Sequence, residues 1–335
     1  MSNSSQNVCN PGAKPTSHGN RTLRILQVGL AKSGNLWLYK ILQGCLVQAG
    51  LPTQSFIQNQ PIHKVAQDWN LSYDEQADID VIDITNRGCF YRISSIFRHP
   101  ILDFDHYVQE TTHVWSHSSF CDHCRTVFPK FDRLVYIIRD PRDAALSHAR
   151  FMLTPYMKTY YPNEFESVEE YLDERLESKL RRWVEHVAPY LEKGSKLNIH
   201  FVFYERFLHN FAEELDRLLD YLGLSLNAEA RRAVQKAVTF QSMKQKDPEH
   251  VQKGKSGKWI DQMTEDQKHR SLAITRPLLD ALDYPLDDTT EAIYPSTPAN
   301  FSHEAMRAAI RQARLPYMTD KLKHEVRKMV SAIPL

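Results

Sequence analysis

Two alternating patterns of apolar positions organise the chain. Ile25–Leu30 is a short apolar run ending in a Gly-containing turn, and Asn35–Gln48 follows with Leu36, Leu38, Ile41, Leu42 and Cys45 at helical spacing. The pattern predicts strand, tight loop, helix. It returns at Leu134–Ile138, a continuous apolar run suited to a strand buried on both faces, followed by Asp140 as N-cap and Pro141 as first residue of a helix through Met152. A third run, Ile199–Tyr204, precedes a helix carrying Phe211, Leu215, Leu218, Leu219 and Leu222 and closed by Gly223. Three such units imply an α/β fold: a P-loop-like parallel sheet with helices on both faces, and ligands at the C-terminal ends of its strands. Sites are therefore expected near residues 30–35, 139–147 and 204–206. Ser167–Lys193 reads as a long helix with Tyr171, Leu172, Leu176, Leu180, Trp183 and Val187 along one side, covering the sheet or capping the cleft. Further helices are expected at Glu265–Leu282 and about Ser302–Ile333. The expected organisation is a disordered leader over 1–22, rich in Ser, Asn, Gly and Pro, one domain over 23–290, and a helical C-terminal extension over 291–335 packed on that domain.

Composition narrows the class. With 335 residues, 42% hydrophobic and 25% charged, the chain can bury a full core, which excludes collagen-like, coiled-coil and largely disordered readings. Forty-two Lys and Arg against 41 Asp and Glu leave a formal charge of +1, so any anion site must be local and no nucleic-acid partner is expected. No run approaches the roughly 18 apolar residues of a membrane span, no apolar signal core is present, and five cysteines do not make a disulfide scaffold. A cytoplasmic protein with free thiols and no membrane partner is the expectation.

Candidate chemistry lies in the two expected strand-to-helix loops. Gly29-Leu30-Ala31-Lys32-Ser33-Gly34-Asn35-Leu36-Trp37 would aim backbone N–H groups and one ammonium at an anion. It is not a Walker A loop, because Gly29 stands three positions before Lys32 and Ala31, not Gly, immediately precedes that Lys. Arg139-Asp140-Pro141-Arg142-Asp143 supplies a forked cation, and Ser147 comes eight residues after Arg139, about two helical turns on. Taken singly, each loop also fits an ordinary helix start with solvated charges.

Together, and with Tyr204-Glu205 and Lys253-Gly254-Lys255-Ser256-Gly257-Lys258-Trp259 downstream, these segments resemble the sulfotransferase family that uses 3′-phosphoadenosine 5′-phosphosulfate (PAPS). The resemblance runs from about Leu26 to Trp259 with the segments in the family's order. It implies that Lys32, Ser33, Gly34, Asn35, Leu36 and Trp37 hold the 5′-phosphosulfate, and that Arg139 and Ser147 hold the 3′-phosphate. It further implies that Tyr204 and Phe240 contact adenine, that Lys253 and Gly254 close over the 3′-phosphate, and that the product is adenosine 3′,5′-bisphosphate (PAP). Ala31 replaces the family's Pro, Leu36 a Thr, and Gln252 the Arg of Arg-Lys-Gly. The family's Lys-Thr-His segment is matched to Thr111-Thr112-His113, which keeps the histidine and loses the lysine. His113 is thus the expected general base, with His117 and His106 as substitutes. Lys32 would neutralise leaving-group charge, and no metal is required. The acceptor implied is a small-molecule hydroxyl, with an amine as variant, in a pocket built from 53–98, 156–165 and the C-terminal tail. The family's dimer motif is not recognisable at Ile260–Gln267, so the oligomeric state stays open.

Two alternatives remain beside this one. A nucleotide or small-molecule kinase would use a related phosphate loop with ATP and magnesium. His113, His117, Cys121 and Cys124 are zinc-ligand types, so a zinc-binding interaction module is the other; the plainer reading of that segment is a cleft-lining loop.

Overall fold

The computed structural model describes residues 22–194, 196–239, 241–243, 255–287 and 307–314. A seven-stranded mixed sheet forms the centre: β1 (Ile25–Gly29), β2 (Val81–Thr85), β3 (Gly88–Ile93), β4 (Phe97–Pro100), β5 (His113–Ser116), β6 (Arg133–Ile138) and β7 (Ile199–Phe203), in the order β4-β3-β2-β5-β1-β6-β7. β2, β5, β1, β6 and β7 run parallel, and β3 and β4 add an antiparallel meander at one edge.

The expected strand-helix units form as the apolar pattern requires. All five residues of β1 are buried, as a strand covered on both faces must be. It feeds α1 (Asn35–Gln48), and β6 feeds α5 (Pro141–Met152), whose N-cap Asp140 accepts from the Arg142 amide. β7 runs directly into α8 (Tyr204–His209), so Tyr204 opens a helix instead of closing the strand; α9 (Phe211–Leu222) comes next, ended by left-handed Gly223. The shorter helices between are α2 (Pro61–Ala66), α3 (Phe104–Gln109), α4 (Cys124–Val127) and α6 (Pro155–Tyr160).

Helix α7 (Val168–Gly194) covers one face, where Trp183, Val187 and Tyr190 pack on Tyr136 and Leu134. On the opposite face α1, α9 and α10 (Ala228–Ala237) bury Leu38, Ile41, Leu42, Leu215, Leu218 and Val234 against Ile25, Val135 and Ile137. α11 (Lys258–Gln262) and α12 (Glu265–Ala281) close the described domain, with Trp259 buried among α5 and α7 residues. Residues 307–314 are helical, and Ile310 and Ala313 join the α7-side core. The expected leader falls outside the described residues apart from Thr22, as does the rest of the C-terminal extension. Among the described residues no helix is long and apolar enough to cross a membrane.

The β2–β4 meander is absent from the sequence-based expectation, which held residues 53–98 only as pocket wall. No long apolar run marks it. Its signal is period-two alternation, Ile82 and Ile84 buried between half-buried Val81, Asp83 and Thr85, followed by an Asn86-Arg87-Gly88 turn in which Gly88 takes φ 137°.

Candidate functional site

The loop between β1 and α1 is drawn tight by its own sequence. Lys32 and Gly34 have φ of 71° and 93°, and the Ser33 amide donates to the Leu30 carbonyl at 3.2 Å. Gly34 is obligatory on two counts: left-handed backbone, and a would-be Cβ 2.5 Å from Cδ2 of Tyr204. The Asn35 amide nitrogen ties back to the Leu30 carbonyl at 2.7 Å, while its buried Oδ1 has no hydrogen-bond partner. Gly34 caps α1 without a side-chain acceptor, so the first-turn N–H groups of a 14-residue helix face the loop mouth. Leu36 and Trp37 are core residues at 6% and 9% exposure; a ligand could meet them only through backbone.

The second loop crosses the first. Arg139 Nη1 donates to the Lys32 carbonyl at 3.0 Å, its guanidinium lies 4.3 Å from the Tyr204 ring centre, and among the described residues its buried Nε has no partner. Lys32 extends over the Phe151 ring at 4.1 Å, and burial together with Arg139 pulls its pKa down to about 8. Two neighbouring cations, one with a buried orphan N–H, make a site suited to an anion. Arg142 is different: fully buried, it forks onto Asp140 at 2.7 and 3.0 Å, donates to the Pro285 carbonyl at 2.6 Å and stacks 3.6 Å from Trp259. It is a structural bolt. Ser147 lies half-buried two turns into α5.

Further segments converge here. Trp37 Nε1 donates to the Val238 carbonyl at 3.0 Å and its ring meets Tyr204 edge-on at 5.3 Å, which brings Val238 beside the first loop. Phe240, Lys253 and Gly254 lie outside the described residues. The segment just downstream of Gly254 is pinned by Asp143, which accepts from the Gly257 and Trp259 amides at 2.7 and 3.1 Å. This sets Lys258 near Arg139 and Arg150, and burial plus those two arginines lowers its pKa. Lys258 and Arg150 are site cations that sequence reasoning missed; the Arg at a three-residue step from Ser147 was the available signal.

The structure places the expected base, His113, away from the two loops. His113 begins β5 in register with Ile25, at the N-terminal edge of the sheet, opposite the loops. Its Nδ1 accepts from Gln43 Nε2 and its Nε2 donates to Gln27 Oε1, both at 3.2 Å, Tyr39 stacks on it at 4.5 Å, and burial drives its pKa down to about 3. Both ring nitrogens are spent on the side-chain amides of buried Gln27 and half-buried Gln43, leaving no lone pair for an acceptor. His106, on α3, carries a cap contact through its backbone.

His117 instead stands one residue beyond β5, at the C-terminal edge and beside the first loop. Its Nδ1–H donates to the Gly29 carbonyl at 2.6 Å, and among the described residues Nε2 has no hydrogen-bond partner. That bond fixes the tautomer and leaves Nε2 as the ring's acceptor. His186 of α7 donates to the His117 carbonyl at 3.1 Å and accepts from Tyr136 at 2.7 Å, steadying the backbone. Burial first, then Arg92, lowers the His117 pKa to about 3, so the ring is neutral at physiological pH.

His113 and His117 thus sit at opposite ends of one strand and cannot share a zinc ion. Cys121 and Cys124 face each other at 3.7 Å, and among the described residues no three His, Cys, Asp or Glu side chains form a metal-sized group.

Against known proteins, the sulfotransferase domain model matches residues 23–283. Sulfotransferase 1E1 of Mus musculus is 28% identical over 114 residues, 33% of this chain and 37% of that protein. Cytosolic sulfotransferase 1 of Danio rerio is 28% identical over 154 residues, 41% of this chain and 50% of that protein. The matched stretch therefore spans half or less of these relatives' length. Among solved structures, retinol dehydratase in complex with androsterone and the inactive cofactor PAP has a TM-score of 0.53 at 17% identity, over 82% of this chain and 84% of that one. This last likeness is one of fold.

Proposed function

The chain belongs to the sulfotransferase family, and from that membership we propose that it transfers a sulfuryl group from PAPS to the hydroxyl, or amine, of a small cytoplasmic molecule. The observation that carries the reading is the crossing of Lys32 and Arg139: two adjoining cations, a buried unpartnered Arg139 Nε, and the free first-turn amides of α1. Such a set fits a donor with two anionic ends. The loop amides and Lys32 would hold the phosphosulfate end, and Arg139 with Ser147 the 3′-phosphate, with Lys253 and Lys258 closing from the downstream segment.

When bound, the donor supplies an activated sulfuryl group on a phosphate leaving group. Lys32 would lie where charge builds on that leaving group, and its half-buried ammonium would respond to it more strongly than one in open water. His117 Nε2 takes the acceptor's proton, with Gly29 holding the opposite nitrogen so that the ring can carry the charge. Neutralising Lys32 by an anion removes one cation that lowers the His117 pKa, which makes the base stronger once the donor is in place.

Thermal unfolding with PAP, and with ATP plus magnesium, tests the reading. At a hundredfold excess over Kd, PAP should add about 2.7 kcal/mol of apparent stability, and ATP with magnesium far less. An equal or larger response to ATP with magnesium would favour phosphoryl transfer and sink the proposal. Labelled sulfate carried from PAPS onto a panel of phenols, alcohols and amines then identifies the acceptor.

A further inference from the structure

The connection from β5 to α4 carries a Cys-x-x-Cys pair that the site above leaves unused. Cys121 and Cys124 lie at the two ends of a reverse turn, closed by the Cys124 amide donating to the Cys121 carbonyl at 3.0 Å. A turn of this kind keeps its end Cα atoms within about 7 Å, the span a disulfide bridges. The two sulfurs face each other at 3.7 Å, and the Cys121 amide donates to the Cys124 sulfur at 3.4 Å. The thiols are thus in contact without being bonded, across a turn already formed.

The two thiols differ in access. Cys124 is fully buried at the start of α4, in the core cluster with Val127, Phe128 and Tyr190, and burial pushes its pKa up to about 12. Cys121 is half-buried, its sulfur 3.9 Å from the Ile84 carbonyl. Cys45 and Cys89 are free thiols but buried, so a reagent in water reaches Cys121 first. The stretch leading to the pair is tied down: the Ser118 carbonyl accepts from the Tyr190 hydroxyl at 2.8 Å, Ser118 Oγ accepts from the Ile84 amide at 2.7 Å, and Phe120 packs edge-on against Tyr190 and Phe128. Sulfurs held in place by such surroundings react with each other as an intramolecular pair.

We propose that Cys121 and Cys124 form a redox-active dithiol that closes to a disulfide by exchange with low-molecular-weight disulfides. Cys121, having lost its proton to water, attacks one sulfur of the small disulfide; a mixed disulfide forms on Cys121 and the first small thiolate leaves. Cys124 then gives up its proton and attacks the Cys121 sulfur, expelling the second thiolate, while the Cys121 amide steadies the charge gathering on the Cys124 sulfur. Each departing thiolate takes up a proton, so two protein thiols and one small disulfide become one protein disulfide and two small thiols. The pair is separate from the Lys32 and Arg139 loops, and its chemistry is independent of sulfuryl transfer.

The test treats the reduced full chain with excess glutathione disulfide, quenches it in acid at intervals, alkylates the unfolded protein and maps its tryptic peptides by mass spectrometry. No Lys or Arg lies between the two cysteines, so one peptide carries both. That peptide should lose two hydrogens and resist alkylation, and dithiothreitol should restore both thiols. The pair should react about tenfold or more faster than Cys45 and Cys89. In Cys124→Ser the reaction should stop with glutathione on Cys121, and in Cys121→Ser the Cys124 sulfur should take up none. A wild-type pair that stays reduced, a glutathione adduct that persists unclosed on Cys121, or a Cys124 that reacts in Cys121→Ser each overturns the inference. Where a variant fails to fold, the wild-type map decides by itself.

Discussion

Two histidines four residues apart illustrate how much a side chain's role depends on its height on a sheet. His113 and His117 have the same strand parity, so alternation cannot separate them. His113 is locked between the amides of Gln27 and Gln43, and His117 presents a free Nε2 beside Lys32's loop. His117→Ala should therefore keep PAP binding and lose about 10²–10⁴-fold in turnover on an identified acceptor. His113→Ala should leave the turnover of folded protein close to wild type. Its cost is stability, about 2–3 kcal/mol, because the side-chain amides of Gln27 and Gln43 lose their partner. Both variants are compared by initial rate and denaturant midpoint; a rate loss confined to His113→Ala would return the base to that position.

At the scale of elements, the two loops divide binding from architecture between two arginines three residues apart. Arg142 ties the start of α5 to Asp140, to the Pro285 carbonyl and to Trp259. Arg142→Ala strands the buried Asp140 and should cost about 3–5 kcal/mol of stability while the remaining folded protein still responds to PAP. Arg139→Ala removes the cation with the orphaned Nε and should abolish most of the PAP-induced stabilisation. Melting curves with and without PAP separate the two, and matched losses of the PAP response would refute the division. Gly34→Ala tests the first loop: with φ 93° and Tyr204 2.5 Å from the new Cβ, the loop must shift, and PAP affinity should fall at least tenfold.

For the whole molecule, buried titratable groups set a stability maximum. Burial holds His113, His117 and His148 at about 3, and His186 and His200 at about 4, below their ordinary value of 6.5. On acidification through 6.5 these five bind protons in the unfolded chain first, so the stability present above 6.5 is lost as pH falls. Burial acts oppositely on carboxyls, raising Asp80 to about 7, Glu205 to about 8, and Asp143 in the same direction. Asp80 and Glu205 stay protonated in the fold where the unfolded chain has ionised them, so their contribution is lost as pH rises toward 7 and 8, and Asp143 acts in the same sense. Five histidines outweigh three carboxyls below 6.5, the carboxyls dominate from there toward 8, and Lys32, held at about 8, opposes them only at the top of that range. The melting temperature should peak near pH 6.5 and fall on both sides; a monotonic rise from pH 5 to 8 would contradict this balance.

Features governed by near neighbours could be read from the order of residues alone. Continuous apolar runs specified β1, β6 and β7, 3.6-residue spacing specified α1, α7 and α9, and Asp140-Pro141 marked where α5 begins, because burial pattern and capping act over a few residues. The loops carrying Lys32 and Arg139 were legible for the same reason. The β2–β4 meander was not, since short half-buried strands gain their identity from cross-strand partners. It took the folded arrangement to establish that His117 and not His113 meets the loops, and that Lys258 and Arg150 join Arg139. Each of these depends on strand register or on which helix faces meet, and pairings between residues tens of positions apart are set by the packing of the whole chain.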